Sequence, residues 1–317
     1  MKPARCNLCG ADDWRIRFPA RGNHSSGPDV DAHRCTSAEY GSHLQIVECR
    51  QCGHIYANPR FDSNDLLEAY SSVEDETYIV EQAGRNKTFT KHLKSMVKFT
   101  GSGQNRELLD VGAYIGIFVE IALANGWQAM GVEPSQWAVS YAQQKGLPVV
   151  QGTLDAPELL GHRFDVITMW DVIEHVDDPA AELDKSFNLL RPGGTIAVHT
   201  MDINSSTAKI MGPRWPWLMD MHIHYFSQDS LIRFMKKSGF EILWAGSQGR
   251  YLSLGYLVTR VKGMSKLLGS LINNIVNLMG LGEVLVPVNL GDLITVYARR
   301  PEQASDTKSS GDLRRSD

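Results

Sequence analysis

Apolar positions change their spacing along this chain, and each change marks a different kind of element. From Asp62 to about Thr100 they recur at three- and four-residue steps: Leu66, Leu67 and Tyr70 after a cap-like Ser63-Asn64-Asp65, then Phe89, Leu93, Met96 and Val97. That period predicts helix, and Gly101-Ser102-Gly103 ends it. After Arg106 short apolar runs alternate with helical patterns, and the runs predict strands near 107–111, 128–132, 164–169, 194–200, 240–245 and 292–299. Alternation of this kind predicts a parallel sheet covered by helices on both faces, an α/β fold.

Before the last of these strands the chain makes a detour over about 250–288. Leu267, Leu268, Leu271, Ile272, Ile275, Val276, Leu278 and Met279 form a wide apolar face, while Asn273, Asn274 and Asn277 argue against a membrane span. The pattern predicts an amphipathic helical insertion. Its face either packs on its own domain or on a dimer mate, or meets lipid or a lipid-linked substrate with help from Arg260, Lys262 and Lys266. The stretch 301–317 is polar, lacks aromatics and is expected to be disordered. The expected organisation is therefore a module over 1–60, a helical connector over 61–105, a main domain over 106–249 and 289–300, the insertion, and a tail.

With 317 residues there is material for one large domain and a smaller module. The net charge of −4 gives no strong positive field, which disfavours nucleic acid as a partner. The start, MKPARCNLCG, lacks the apolar core of a signal peptide, and no uncharged apolar run reaches about 18 residues. A cytoplasmic location is the expectation.

Four of the five cysteines form two C-x-x-C pairs, Cys6 with Cys9 and Cys49 with Cys52, each followed by glycine. Two intervening residues let both sulfurs reach one ion, and four thiolates give Zn²⁺ a closed tetrahedral shell. Such a zinc is structural; the alternative is a redox dithiol. Cys35 stands alone between the pairs and reads as an ordinary small side chain.

The stretch LLDVGAYIGIF, residues 108–118, is a strand, a glycine turn and the start of a helix. Such a turn offers free N–H groups to a ligand, although G-x-x-x-G alone is weak evidence. The next strand adds Glu133, whose two oxygens at a strand's carboxyl end suit the two hydroxyls of a ribose. Thr153-Leu154-Asp155 follows, in position for an adenine edge, and then FDVITMWDVIEHVDDP.

The ordered series of LLDVGAYIG, VEPS, FDVITMWDVIEHVDDP and LLRPGGTIAVHT resembles the class I S-adenosylmethionine-dependent methyltransferases, across roughly 106–245 with a late strand at 292–299. The resemblance implies a Rossmann-like, seven-stranded, mostly parallel sheet, here with an N-terminal zinc ribbon. It implies that Asp110, Gly112, Ala113, Tyr114 and Gly116 run under the methionine part of the cofactor with Phe118 behind them. Glu133 and Pro134 would then hold the ribose, Thr153, Leu154 and Asp155 flank adenine, and Trp170 and Asp171 line the cofactor. Tyr114 departs from the family, which usually has glycine there; polysaccharide and natural-product methyltransferases have a similar DxGAYxG turn, so binding is expected with the ring turned aside. A nicotinamide enzyme is the competing reading of such a turn.

Hydroxyl or carbon acceptors need a base, and histidine is the natural one. His175 follows Glu174 in a segment similar to ubiquinone-biosynthesis O-methyltransferases, which implies a divalent-cation triad of Asp171, Glu174 and His175, or else a merely structural loop. His199 ends a strand where this fold faces substrate. The run from Asp220 to Ser227 looks like the family's HLYYFS segment, making His222 either the base or a structural hydrogen-bonder. Trp215, Trp217, His224 and Tyr225 are candidate substrate contacts, the two indoles forming either a wall for a sugar or planar ring or lid packing. The expected acceptor is a small molecule or glycan, such as a sugar, lipid-linked glycan or natural product, methylated on oxygen. The alternatives are C-methylation of a nucleotide sugar, RNA methylation, and a non-catalytic scaffold.

Overall fold

The chain opens in a small antiparallel sheet, with β1 (Trp14–Phe18), β2 (Ile46–Cys49) and β3 (Ile55–Ala57) paired in order. The computed structural model describes residues 1–22, 24, 27–28, 34, 36 and 41–302; Cys35 and the tail from 303 onward lie outside the described residues. Three helices follow, α1 (Ser63–Ser71), α2 (Glu76–Val80) and α3 (Gln82–Thr100). The Asp62 and Asp75 side chains cap the first two by accepting from the Asn64 and Tyr78 amides. Gly101, at φ 78°, ends the third.

The remaining elements are β4 (Glu107–Val111), α4 (Ile117–Ala124), β5 (Gln128–Glu133), α5 (Gln136–Gln144), β6 (Val149–Gln151), β7 (Phe164–Trp170), α6 (Pro179–Leu189), β8 (Leu190–Met201), α7 (Ser206–Met211), β9 (His224–Tyr225), α8 (Gln228–Lys237), β10 (Glu241–Ser247), β11 (Arg250–Ser253), α9 (Leu254–Met264), α10 (Lys266–Leu278), β12 (Leu285–Val288) and β13 (Leu293–Arg299). Seven strands make one sheet in the order β6-β5-β4-β7-β8-β13-β10. Pairing is parallel from β6 to β8, and β13 runs antiparallel to both its neighbours. This is the α/β sheet expected from the alternation of elements, and the Rossmann-like, seven-stranded, mostly parallel form that the resemblance implies.

Side chains alternate across each strand, so neighbouring residues feed opposite layers. Leu109, Ile167, Ile196 and Val296 pack in one core with Leu183 of α6 and Leu231 and Phe234 of α8. Leu108, Val166, Ala197 and Tyr297 pack in the other with Leu93 and Met96 of α3 and Phe118 and Val119 of α4. The helix expected as a connector thus covers one face of the sheet.

Four strands differ from the sequence pattern. β6 is a strand of three residues, too short to stand out as an apolar run. β11 and β12 pair antiparallel as a stem, Arg250 opposite Val288 and Ser253 opposite Leu285, beneath α9 and α10. β9 lies in a segment that reads as loop, and it joins β3 with Ile55 opposite Tyr225 and Tyr56 opposite His224. The small sheet therefore takes its fourth strand from the loop after β8. Among the described residues no helix is long and apolar enough to cross a membrane.

Candidate active site

β4 ends at Val111 and the chain turns over Gly112–Gly116 into α4. Gly112 has φ 68°, and a Cβ there would lie 2.5 Å from Val172 Cγ2; Gly116 has φ 79°, and a Cβ there would lie 2.8 Å from Leu147 Cδ1. Both positions require glycine for conformation and for space. Tyr114 is also left-handed, at φ 48°, a strain of about 1–3 kcal/mol for a residue with a side chain. Its N–H donates to Glu133 Oε2 at 3.0 Å, and the Ser135 N–H donates to Oε1 at 2.8 Å. Its ring packs against Tyr78 of α2, centroids 4.4 Å apart, and against Trp137 of α5 at 5.9 Å. The ring is turned aside, and the backbone, not the side chain, serves the turn.

Glu133 is fully buried at the end of β5. Burial raises its pKa to about 7, against the hydrogen bonds from Ser135, Tyr114 and Tyr70 that favour the carboxylate. Asp110 lies in the sheet below the turn, accepting the Thr168 hydroxyl at 2.6 Å; burial lifts it to about 8. Ala113 and Phe118 are buried, and Phe118 meets the Trp170 ring edge-on at 5.1 Å. Pro134 is half-buried, and its carbonyl accepts the Gln151 amide at 3.4 Å. In the next loop the Leu154 side chain belongs to the main core, and the exposed Asp155 pairs with Lys185 at 2.6 Å. That leaves the backbone of Thr153–Asp155 as the part able to meet an adenine edge. A glycine-floored turn, a buried carboxylate on the next strand, and a buried Trp170 Nε1 without a hydrogen-bond partner fit an adenosyl cofactor with a methionine arm.

On the other side of Trp170, Asp171 takes φ 57° and turns its side chain, 42% exposed, to Arg250, whose Nη2 lies 3.2 Å from Oδ2. His199 Nε2 is 3.8 Å from the other oxygen. His199 Nδ1 meets the Thr295 hydroxyl at 2.7 Å, and that hydroxyl donates to Gln248 Oε1, so Nδ1 carries the proton. Burial holds His199 down to about 4. Arg250 also lies over the Trp217 ring at 5.1 Å, and Trp217 stacks on His222 at 6.2 Å.

His222 and His175 face each other with ring centroids 4.8 Å apart. Nδ1 of His175 donates to the Met221 carbonyl and Nδ1 of His222 to the Trp217 carbonyl, both at 2.8 Å. A carbonyl only accepts, so in each neutral ring Nε2 keeps the lone pair. Burial, with His175 adding to it, lowers His222 to about 3. Glu174 is 2% exposed, burial and then Asp171 raise it to about 8, and its Oε2 has no hydrogen-bond partner. Ligating atoms of Glu174, His175 and His222 lie within 4.8 Å of one another. The structure therefore corrects the expected triad: Asp171 pairs with Arg250, and His222 takes its place.

Of the four candidate substrate contacts, Trp217 borders this cluster and the others face inward. Trp215 is 2% exposed and shares the Asp292 carboxylate with Trp217, their indole N–H groups donating at 3.1 and 3.0 Å. Tyr225 donates its hydroxyl to the Met219 carbonyl at 3.2 Å and is buried beside His222. His224 is buried in the joint with the small sheet, 3.1 Å from His54 and 3.3 Å from Arg60, which is itself 2.7 Å from Asp177.

The four paired cysteines converge, with Cys6 Sγ 3.4 Å from Cys52 Sγ, Cys9 Sγ 3.5 Å from Cys49 Sγ, and all within 4.8 Å. Sulfurs about 2.3 Å from a tetrahedral zinc are roughly 3.8 Å apart, so the spacing fits. Gly10 and Gly53, at φ 77° and 75°, donate their N–H groups to the Cys6 and Cys49 carbonyls, the same turn twice.

Arg250 and His92 are not evident in the sequence as site residues. His92 is buried on α3, its ring 5.0 Å from His199 and 4.8 Å from Trp170. The signal for it was a histidine on the Phe89–Met96 apolar face. Arg250 carried no local signal, since the pairing of β11 with β12 sets its position.

The family described as "Methyltransferase domain" matches residues 84–244, half of the chain. A ubiquinone biosynthesis O-methyltransferase of Cereibacter sphaeroides is 30% identical over 210 residues, covering 58% of this chain and 83% of that protein. One from Vibrio cholerae is 34% identical over 106 residues, covering 31% and 43%. A solved SAM-dependent methyltransferase from Thermotoga maritima superposes with a TM-score of 0.47 at 19% identity, covering 71% of this chain and 93% of that one.

Proposed function

This chain belongs to the methyltransferase-domain family, whose methyl donor is S-adenosylmethionine, and we propose that it methylates a hydroxyl group of a small molecule. The observation that carries the choice of oxygen is the buried Glu174–His175–His222 cluster beside Asp171, with its unpartnered carboxylate oxygen. The O-methyltransferase names of the relatives support the same choice. The sulfonium is already activated, so the protein's tasks are to align the acceptor in line with the methyl group and to take its proton.

Glu133 would accept the ribose hydroxyls through lone pairs that its backbone donors leave unused. On the acceptor side Trp217 and Arg250 offer a flat, cationic wall to an aromatic or sugar ring. His222 Nε2 is the proton acceptor, and Glu174 beside it, which burial keeps largely protonated below about pH 8, would stabilise the imidazolium once ionised. Alternatively the same three side chains would hold a divalent cation, with the His222 Nε2 lone pair then a ligand and not a base, and the cation when bound makes a hydroxyl more acidic. Cys6, Cys9, Cys49 and Cys52 would hold a structural zinc.

Incubation with a methyl-labelled donor and a panel of phenols and sugars tests the reading, with labelled O–CH₃ as the expected product. Label on carbon or nitrogen alone would sink it. Cofactor affinity should also depend on pH. Burial favours neutral Glu133, so its contribution to the stability of the unliganded protein is greatest below its ordinary value of 4.5 and is lost as pH rises through about 7. Ribose binding prefers the carboxylate and has the opposite sign. Affinity should fall roughly tenfold between about pH 8 and about pH 6, and Glu133→Gln should be weaker and flat with pH. Calorimetric titration reads both, and a wild-type affinity that does not change over this range removes Glu133 from the ribose.

A further inference from the structure

The helical pair on the β11–β12 stem leaves an apolar face uncovered. Gly269 and Val276 are the buried positions of α10, and Gly269 sits so close to α9 that a Cβ would lie 2.4 Å from Lys262 Cα. That contact fixes which side of α10 faces α9. On another side Leu267, Leu268, Leu271, Ile275, Leu278 and Met279 form one stripe, each between 51% and 89% exposed. At about 100° per residue these six span roughly a third of the helix circumference. A continuous exposed stripe of this kind marks an interaction surface, unlike scattered single residues.

Charge selects the occupant. From Leu254 to Gly282 there is no aspartate or glutamate, although the chain as a whole carries −4. Lys262 and Lys266 are exposed near the turn between the two helices, and Arg260 lies over the Tyr256 ring. A second copy docked face to face would set cations against cations with no anion between them. An anionic lipid surface takes up both the apolar stripe and the positive charge.

We propose that α9 and α10 dock this protein onto an anionic lipid bilayer, lying in its interface and not crossing it. The hairpin belongs to this chain beyond the family match, which ends at residue 244. Its stem begins at Arg250, the partner of Asp171, so the docked hairpin is joined directly to the proposed acceptor site. The docking does not depend on which acceptor is methylated.

The test is cosedimentation of the full chain with vesicles of phosphatidylcholine containing phosphatidylglycerol, and with vesicles of phosphatidylcholine alone. Binding should be at least about tenfold stronger to the anionic vesicles and should weaken with salt. The double variant Leu271→Glu, Leu278→Glu changes only exposed side chains and should lose that binding while titrating with S-adenosylmethionine as before. Equal sedimentation of both proteins, or none of either, overturns the proposal. So does a wild-type dimer that the variant splits, since the stripe then belongs to a second copy.

Discussion

Replacing His222 with alanine should slow methyl transfer by roughly 10²–10⁴-fold while leaving the affinity for S-adenosylmethionine unchanged within about twofold. The reason lies in how the ring is held. Its Nδ1–H is committed to the Trp217 carbonyl, so Nε2 alone is left to take a proton, and it faces His175 and Glu174. With its pKa held down near 3 the isolated ring is always in the accepting form but is a weak base. Glu174, raised to about 8 by burial, offsets that as it ionises, when its charge stabilises the imidazolium. The proposed cofactor turn of Gly112 and Tyr114, with Glu133, stands apart, and among the described residues it shares no hydrogen bond with His222. The measurement is kcat and KM for the acceptor together with calorimetric titration of the donor. A fall in donor affinity that matches the fall in rate would mean that His222 supports the fold of the site and not its chemistry.

That residue also shows what the sequence made legible. Its candidacy came from a short motif and a general need for a base, and the structure supplies the partner that the motif assigned elsewhere. A resemblance to ubiquinone-biosynthesis O-methyltransferases grouped Asp171, Glu174 and His175 as a triad. In the fold Asp171 takes a left-handed conformation at the end of β7 and turns its carboxylate to Arg250, which lies far along the chain, while His222 joins Glu174 and His175. Periodicity reports which face of its own strand or helix a side chain occupies, and it carries no information on which distant element will meet it. The central strands were therefore readable from apolar runs alone, whereas β6 and β9, of three and two residues, were not. Trp215 and Tyr225 illustrate the same limit. Their chemistry suits a substrate wall, but Asp292 and the Met219 carbonyl take their polar groups inward.

Changing Cys49 to serine should release the zinc proposed for the four cysteines and disturb the segment around His222, not only the small sheet. Serine does not supply a thiolate, and the remaining three sulfurs leave a tetrahedral shell open. Structural zinc contributes on the order of 10 kcal/mol to small modules built around it, more than the whole stability of many domains, so this sheet should lose its order. The disturbance has a defined route. Cys49 ends β2, β2 pairs with β3, and β3 pairs with β9 at Tyr56 and His224. His224 is two residues from His222, and the amides of Ile223 and His224 both donate to the Glu174 carbonyl. Loss of the small sheet thus removes the edge that holds the His222 segment against Glu174. Zinc content should fall from one per chain to near zero, and amide exchange should accelerate over 46–57 and also over 222–226. The donor site proposed at Glu133, on β5 with its own hydrogen bonds, should still bind S-adenosylmethionine. If zinc is lost while residues 222–226 stay protected and methyl transfer continues at the wild-type rate, the β3–β9 pairing is a passive contact and the small sheet has another task.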